Sequence, residues 1–151
     1  MNILAFIMGA HHLTLRVTSS GLEDENLIAD AISLLIGDSE LVDLEKTNSY
    51  HGSSIFLISA TTRKNKVALS TISKLGTKNL EELQSTIEQR LDENNTLHFR
   101  IGLDELIDGE VIIVKPNRKS IKCQLKLEVY PGQSVTEQTN LFLQEAILVS
   151  N

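Results

Sequence analysis

The stretch IKCQLKLEV, residues 121–129, alternates apolar and polar side chains over its whole length. Successive side chains of a β-strand point to opposite faces, so this alternation predicts a strand with one buried face and one face in water. The stretches HLTLRVT, residues 12–18, and LHFRI, residues 97–101, alternate in the same way. Together the three stretches predict a sheet with an aliphatic inner face and an open outer face that carries positive charge.

Helical spacing of apolar residues separates these strands. Ser20 and Glu23 have the spacing of a helix capping box, and the apolar stripe behind them ends at Gly37. Two more helices are predicted over 65–75 and 79–91, and three more strands over 41–47, 55–60 and 111–114. The predicted order is β-α-β-β-α-α-β-β-β, which is typical of an α+β fold with helices packed on one face of a mostly antiparallel sheet.

These elements indicate a single domain over 11–130, flanked by two apolar segments. The segment 1–10 is interpreted as a short extension, because it is too short for a membrane helix and lacks the basic start of a signal peptide. The segment 131–151 is interpreted as a tail, since a helix there would gather Leu141 and Leu148 with Glu145 in a poor apolar stripe. We expect the two apolar ends to pack together, either against the body or across a homodimer, and we expect no membrane association.

The charges are unevenly distributed along the chain. Its 151 residues carry 14 basic and 20 acidic side chains, and the net charge of −6 excludes a globally basic nucleic-acid coat. Residues 22–45 contain eight acids and no base, whereas residues 111–127 contain five bases and no acid. An acidic protein with this pattern can still present a local basic surface. The single cysteine excludes an internal disulfide and is typical of a protein in the reducing cytoplasm.

The sequence contains no catalytic or metal-binding motif. It has no Gly-rich phosphate loop and no H-E-x-x-H pair, and its histidines lack metal-ligand spacing. Cys123 lies on the inward side of its predicted strand, where a thiol serves packing rather than nucleophilic chemistry. The acidic segment 104–110 lacks the alternation of a calcium loop and is interpreted as a solvated hairpin. We therefore expect a protein without enzymatic activity, catalytic residues, metal or cofactor.

The candidate site consists of six of the outward side chains of the three alternating strands, which also carry His12, Thr14 and Glu128 on that side. The six are Arg16, His98, Arg100, Lys122, Gln124 and Lys126. Arginine and lysine on an open sheet can hold an RNA phosphate backbone, with the histidine and the glutamine as hydrogen-bonding neighbours. The same face lacks the aromatic residues that stack on unpaired bases, so we expect structured RNA bound with low sequence specificity. Two alternatives stay open: a charged face that only prevents aggregation, and an assembly subunit that never contacts RNA, which the net charge favours.

Four segments together carry a resemblance to a known family. They are His11-His12-Leu13 through Arg16 with Glu23-Asp24, Glu45-Lys46-Thr47 with Tyr50-His51-Gly52, Arg90-Leu91-Asp92-Glu93 with 97–100, and the strand 121–127. They resemble an archaeal family of predicted RNA-binding proteins described as candidate exosome subunits, over about residues 11–130. The resemblance implies a fold like that of the large-subunit ribosomal protein that binds 5S RNA, and a role in an RNA-processing or translation complex. It also adds Lys46 and His51 as a second group of RNA contacts.

Overall fold

The computed structural model describes residues 9–20, 23–48 and 50–150. Within them lie five strands, β1 (Ala10–Ser20), β2 (Val42–Asn48), β3 (Ser54–Thr62), β4 (Thr96–Gly102) and β5 (Ser120–Leu127). The α-helices in the same residues are α1 (Glu25–Ile36), α2 (Asn65–Ser73), α3 (Thr77–Ser85), α4 (Ile87–Arg90), α5 (Leu103–Ile107) and α6 (Val135–Ser150), and a short 3-10 helix spans Ser39–Leu41. The strands form one open sheet in the order β2-β3-β1-β5-β4, and every neighbouring pair is antiparallel. The predicted α+β class is therefore confirmed.

One face of this sheet is buried beneath helices. Leu15 of β1 lies between Ala60 of β3 and Cys123 of β5, and all three side chains are at most 1% exposed. Helix α1 contacts β3, α2 contacts β1, and α6 contacts β5. The inward residues predicted from the alternation are all buried, namely Leu13, Leu15, Val17, Leu97, Phe99, Ile101, Cys123, Leu125 and Leu127. Burial of a large aliphatic side chain contributes about 1.5–3 kcal/mol, so these rows supply much of the folding free energy.

Helix α1 begins at a different capping residue from the one predicted. The Asp24 carboxylate accepts hydrogen bonds from two backbone N–H groups of the first turn, at 3.0 and 3.2 Å, so Asp24 rather than Ser20 is the N-cap. Glu23 instead accepts a hydrogen bond from the Ser20 backbone N–H at 3.2 Å. The helix ends, as predicted, at Gly37, whose φ of 81° lies in the left-handed region that favours glycine.

The segment 131–150, interpreted from the sequence as a tail, packs against the rest of the described chain. It contains α6, which packs against α2 and α3. The buried stripe of α6 consists of Phe142, Leu143, Ala146 and Ile147, spaced three and four positions apart. This end therefore packs against the body. The expectation that it packs together with the other apolar end falls on residues 1–8, outside the described residues, and stays a prediction. Neither α6 nor any other helix in the described part of the chain is long and apolar enough to span a bilayer.

The connection between β4 and β5 also differs from the predicted order. Residues 103–107 form α5 rather than part of a hairpin, because Leu103 and Leu106 are buried on its inner side. The predicted strand at 111–114 is instead a connecting segment that runs along β4. It pairs with β4 through one bridge between Ile101 and Ile113 and through two backbone hydrogen bonds of 2.9 Å. This segment therefore covers part of the outer edge of β4.

Candidate nucleic-acid interface

Three cationic side chains lie side by side on the open face of the sheet. Arg16 of β1 is opposite Lys122 of β5, and Lys122 is opposite Arg100 of β4 on its other side. We call these three residues the cationic row. Neighbouring strands lie about 4.8 Å apart, so the two arginine Cα atoms at the ends of the row are separated by about 10 Å. The predicted placement of these side chains on the face opposite the core is confirmed.

The cationic row has no carboxylate partner among the described residues. None of the four ion pairs found there involves Arg16, Arg100 or Lys122. Arg100 donates a hydrogen bond of 3.4 Å to the hydroxyl of Ser120, which leaves its charge in place. Like charges that lie directly opposite each other in a sheet are destabilising. The row therefore holds positive charge at a cost to folding, and an external anion would neutralise it.

The next row along the strands holds the two predicted hydrogen-bonding neighbours. Gln124 lies opposite His98, and its side-chain amide is 3.5 Å from the His98 Nδ1. The other ring nitrogen of His98, Nε2, is 2.7 Å from the Asp92 carboxylate. This hydrogen bond is the main cause that lowers the pKa of Asp92. Asp92 is therefore ionised at neutral pH and orients the His98 ring beside the cationic row.

The third row contains Lys126, with His12 opposite it on β1 and Thr96 opposite it on β4. His12 also contacts the neighbouring histidine, with 2.8 Å between the Nδ1 atoms of His11 and His12. Burial, followed by the positive charges of His11, Arg63 and Lys126, lowers the pKa of His12. His12 is therefore neutral at neutral pH, and Lys126 carries the charge of this row.

A cleft of about 940 Å³ lies over the open face and includes two cations that the sequence analysis did not select. Arg118 and Lys119, in the turn before β5, line this cleft together with the cationic row. Arg118 pairs with Glu105 and Lys119 pairs with Glu23, so both charges are already balanced within the chain. The signal that points to them is the acid-free run 111–127, but a turn has no alternation from which to assign a face.

The opposite side of the same cleft is acidic. Asp43 and Glu45 of the edge strand β2 line it. The register places Asp43 opposite Ser59 of β3, and Ser59 opposite Arg16, so this row runs from an acid at one edge to cations towards the other. This arrangement attracts anions to the half of the face formed by β1, β5 and β4 and repels them from β2.

The second predicted group, Lys46 and His51, does not join the cationic row. Lys46 lies opposite Phe56 of β3, on the helix-covered side of the sheet, where it is exposed because β2 is an edge strand. His51 is exposed in the turn between β2 and β3, with its ring 5.3 Å from that of Tyr50. A binding surface built on the open face therefore excludes Lys46.

The described strand residues of the open face include no aromatic side chain other than histidine. Phe56 and Phe99 belong to the helix-covered face, as the register shows. Cys123 is fully buried there, and burial raises the pKa of its thiol, as expected for a packing residue. No group of three metal-ligating side chains occurs within the described ranges. Besides the apolar side chains of Ile55 and Leu57, this face offers charge together with hydroxyl, amide and imidazole hydrogen bonding.

A family model described as RNA binding matches residues 12–127 of the chain. The chain belongs to this RNA-binding family. The matched range runs from β1 to the end of β5, so it includes the whole cationic row and the turn that carries Arg118 and Lys119. No curated protein matches the chain.

Solved structures of three archaeal proteins share the fold of this member of the RNA-binding family. A DUF54 protein from Methanothermobacter thermautotrophicus is 20% identical with a TM-score of 0.70, over 91% of this chain and 98% of that one. A DUF54 protein from Archaeoglobus fulgidus is 24% identical with a TM-score of 0.71, over 91% and 99% of the two chains. A UPF0201 protein from Methanococcus jannaschii is 11% identical with a TM-score of 0.61, over 87% and 98%. At these identities the likeness shows the fold alone.

Proposed function

We propose that this protein binds structured RNA through the phosphate backbone on its open sheet face and catalyses no reaction. The cationic row carries the proposal, because Arg16, Lys122 and Arg100 stand in register without a carboxylate partner among the described residues. Phosphate contacts dominate the affinity of proteins for nucleic acids, and arginine and lysine make most of them. Membership of the RNA-binding family supports the same ligand.

The mode of binding follows from the side chains around the row. Proteins that read single-stranded RNA stack its bases on aromatic rings, which the described strands do not place on this face. Thr14, Thr18 and Gln124 instead offer hydroxyl and amide groups that suit sugar 2′-hydroxyls and phosphates. The proposed ligand is therefore RNA whose folded shape presents its backbone, with little discrimination between sequences.

The resemblance noted in the sequence supports the cellular part of the proposal. We place the protein in the cytoplasm as a non-catalytic subunit of an RNA-processing assembly such as the exosome, or of a translation complex. A correspondence with the fold of the ribosomal protein that binds 5S RNA belongs to the same proposal. An RNA contact through the open face leaves the helical side of the domain for protein partners.

The test is the salt dependence of binding to a structured RNA hairpin. For the protein with Arg16→Gln, Arg100→Gln and Lys122→Gln, we expect weaker binding and a slope of log affinity against log salt that is shallower by roughly 2 to 3. The matched control changes three exposed lysines outside the sheet, Lys64→Gln, Lys66→Gln and Lys78→Gln. It has the same net charge as the triple variant and should keep the slope of the unmodified protein.

Two results would contradict the proposal. One is the absence of binding by the unmodified protein at low salt, where backbone contacts are strongest. The other is an equal loss of affinity in both triple variants, which would mean that net charge rather than the cationic row determines binding.

A further inference from the structure

Strand β2 forms one edge of the sheet and is exposed along almost its whole length. In the part of the chain that the structure describes, its one neighbouring strand is β3, and every β2 side chain after Val42 is exposed. An edge strand presents backbone N–H and C=O groups on its outer side, and these groups can pair with another extended chain. The seven residues of β2 are long enough for such pairing.

The opposite edge of the sheet, β4, is covered by other segments of the chain. Backbone hydrogen bonds on the outer side of β4 join it to these segments. They run from Asp92 N–H to Thr96 C=O (3.0 Å), from Val114 N–H to Arg100 C=O (2.9 Å) and from Gly102 N–H to Ile112 C=O (2.9 Å). Within the described residues, the backbone N–H of Val42, at the start of β2, bonds to the Ser39 C=O, and no backbone hydrogen bond from another segment is found along the outer side of the rest of the strand. Among the described residues, the chain therefore closes the β4 edge with its own backbone and leaves most of the β2 edge uncovered.

The side chains of β2 oppose pairing with a second copy of the same strand. Two copies related by a two-fold axis can be centred on any residue of the strand. With the axis at residue 43 or 45, Asp43 or Glu45 lies opposite its own copy, and with the axis at residue 44, Asp43 lies opposite Glu45. With the axis at residue 46, Lys46 lies opposite Lys46. Like charges opposite each other are destabilising in a sheet. These four registers therefore disfavour a homodimer through β2.

The same side chains select a positively charged occupant. Asp43 and Glu45 point to the open face, and Leu44, which is 43% exposed, points to the other side. The chain leading into them, residues 22–45, contains eight acids and no base. An incoming strand with basic residues on one face and apolar residues on the other would match both sides of β2.

We propose that β2 binds an extended basic segment of a partner protein, which adds a sixth strand to the sheet. Main-chain hydrogen bonds along the edge supply affinity, and alternate side chains supply specificity. Lysine or arginine residues of the partner lie against Asp43 and Glu45, and the apolar residues between them cover Leu44. Strand β3 lies between this edge and Arg16, although Asp43 and Glu45 line the same cleft as the cationic row.

The test uses hydrogen exchange on the full chain with a synthetic probe. The probe is a ten-residue peptide, blocked at both ends, that alternates lysine with valine. We expect it to slow amide exchange within β2, and we expect a peptide that alternates glutamate with valine to leave β2 unchanged. In the variant Asp43→Lys with Glu45→Lys, the affinity for the lysine peptide should fall by about tenfold or more, and the glutamate peptide should now bind.

The matched control places the same charge change on an exposed helix, with Glu81→Lys and Glu82→Lys in α3. It should bind the lysine peptide as the unmodified protein does. Absence of protection in β2, or protection confined to other strands, would overturn the proposal. So would a dimer in sedimentation that protects β2 without peptide, because the occupant would then be a second copy. Protection of β2 by an RNA hairpin would equally overturn it, since the edge would then belong to the RNA site.

Discussion

Replacement of Lys122 by glutamine should make the protein more stable and weaken its binding of RNA. Lys122 is exposed at the centre of the cationic row, with a guanidinium on each side. The variant removes a charge but keeps the alternation of polar and apolar residues that forms β5. Folding and binding should therefore respond in opposite directions.

The size of the stabilisation follows from the spacing of the row. Two unit charges roughly 6 Å apart repel by about 0.7 kcal/mol in water. Lys122 has two such neighbours, so we expect Lys122→Gln to raise the free energy of unfolding by about 1 kcal/mol at low salt. In 1 M salt the screening length falls to about 3 Å, and the gain should disappear. RNA affinity should fall roughly threefold to tenfold, as expected for the loss of one charged phosphate contact.

Urea unfolding at low and high salt measures the first effect, and titration with an RNA hairpin measures the second. Lys126→Gln is the matched control on the same strand, because its cross-strand neighbours are His12 and Thr96 rather than arginines. The control should leave stability within about 0.5 kcal/mol of the unmodified protein. A Lys122→Gln protein that is less stable at low salt, or whose gain survives in 1 M salt, would refute the reasoning.

Three further predictions concern the core and the acid range of pH. Cys123→Ser should lower the free energy of unfolding by about 1–3 kcal/mol, because it buries a hydroxyl in an apolar row, and should leave RNA affinity unchanged in a titration of the folded protein. Phe142→Ala should cost about 3–5 kcal/mol, measured by urea unfolding, because the side chain is fully buried between α6 and the body. The pKa of Asp92 is lowered in the folded chain. The ionised carboxylate therefore stabilises the fold fully above the ordinary carboxyl pKa, and this stabilisation is lost as the pH falls through the lowered pKa of the folded state. Asp92→Asn should therefore flatten the loss of stability between about pH 5 and about pH 2, and an unchanged profile would show that the bond to His98 contributes nothing.

The strands were predictable from sequence because an open antiparallel sheet has one dry and one wet face. Alternation alone identified the buried row through Leu15 and Cys123 and the outward position of Arg16. Cross-strand register was not predictable, because it depends on how separate strands align. The sequence offers both Lys122 and Lys126 as neighbours of Arg16, and the register selects Lys122. The cationic row is therefore a product of the fold rather than of any local motif.

The C-terminal helix shows where local periodicity misleads. Apolar residues are so dense over 141–149 that several stripes are possible, and the sequence does not say which one faces the body. In the fold, Phe142 and Ile147 face inward and Leu148 remains 66% exposed. At the start of α1, the capping-box spacing of Ser20 and Glu23 also misleads, because the Asp24 carboxylate caps the helix instead. Tertiary packing therefore decides which stripe of α6 is buried, whereas local hydrogen bonds decide where α1 begins.

The net charge of −6 and the proposal of RNA binding are compatible because they act over different distances. Charge over the whole surface is screened beyond about 8 Å at physiological salt, so it slows the approach of RNA without deciding what happens at contact. In the proposed complex, a phosphate lies against Lys122 flanked by Arg16 and Arg100, while Asp43 and Glu45 lie beyond β3 at the edge of the same cleft. The segregation of charge along the chain thus becomes a segregation across the sheet, with cations where RNA is proposed to bind and acids where a basic protein segment is proposed to bind.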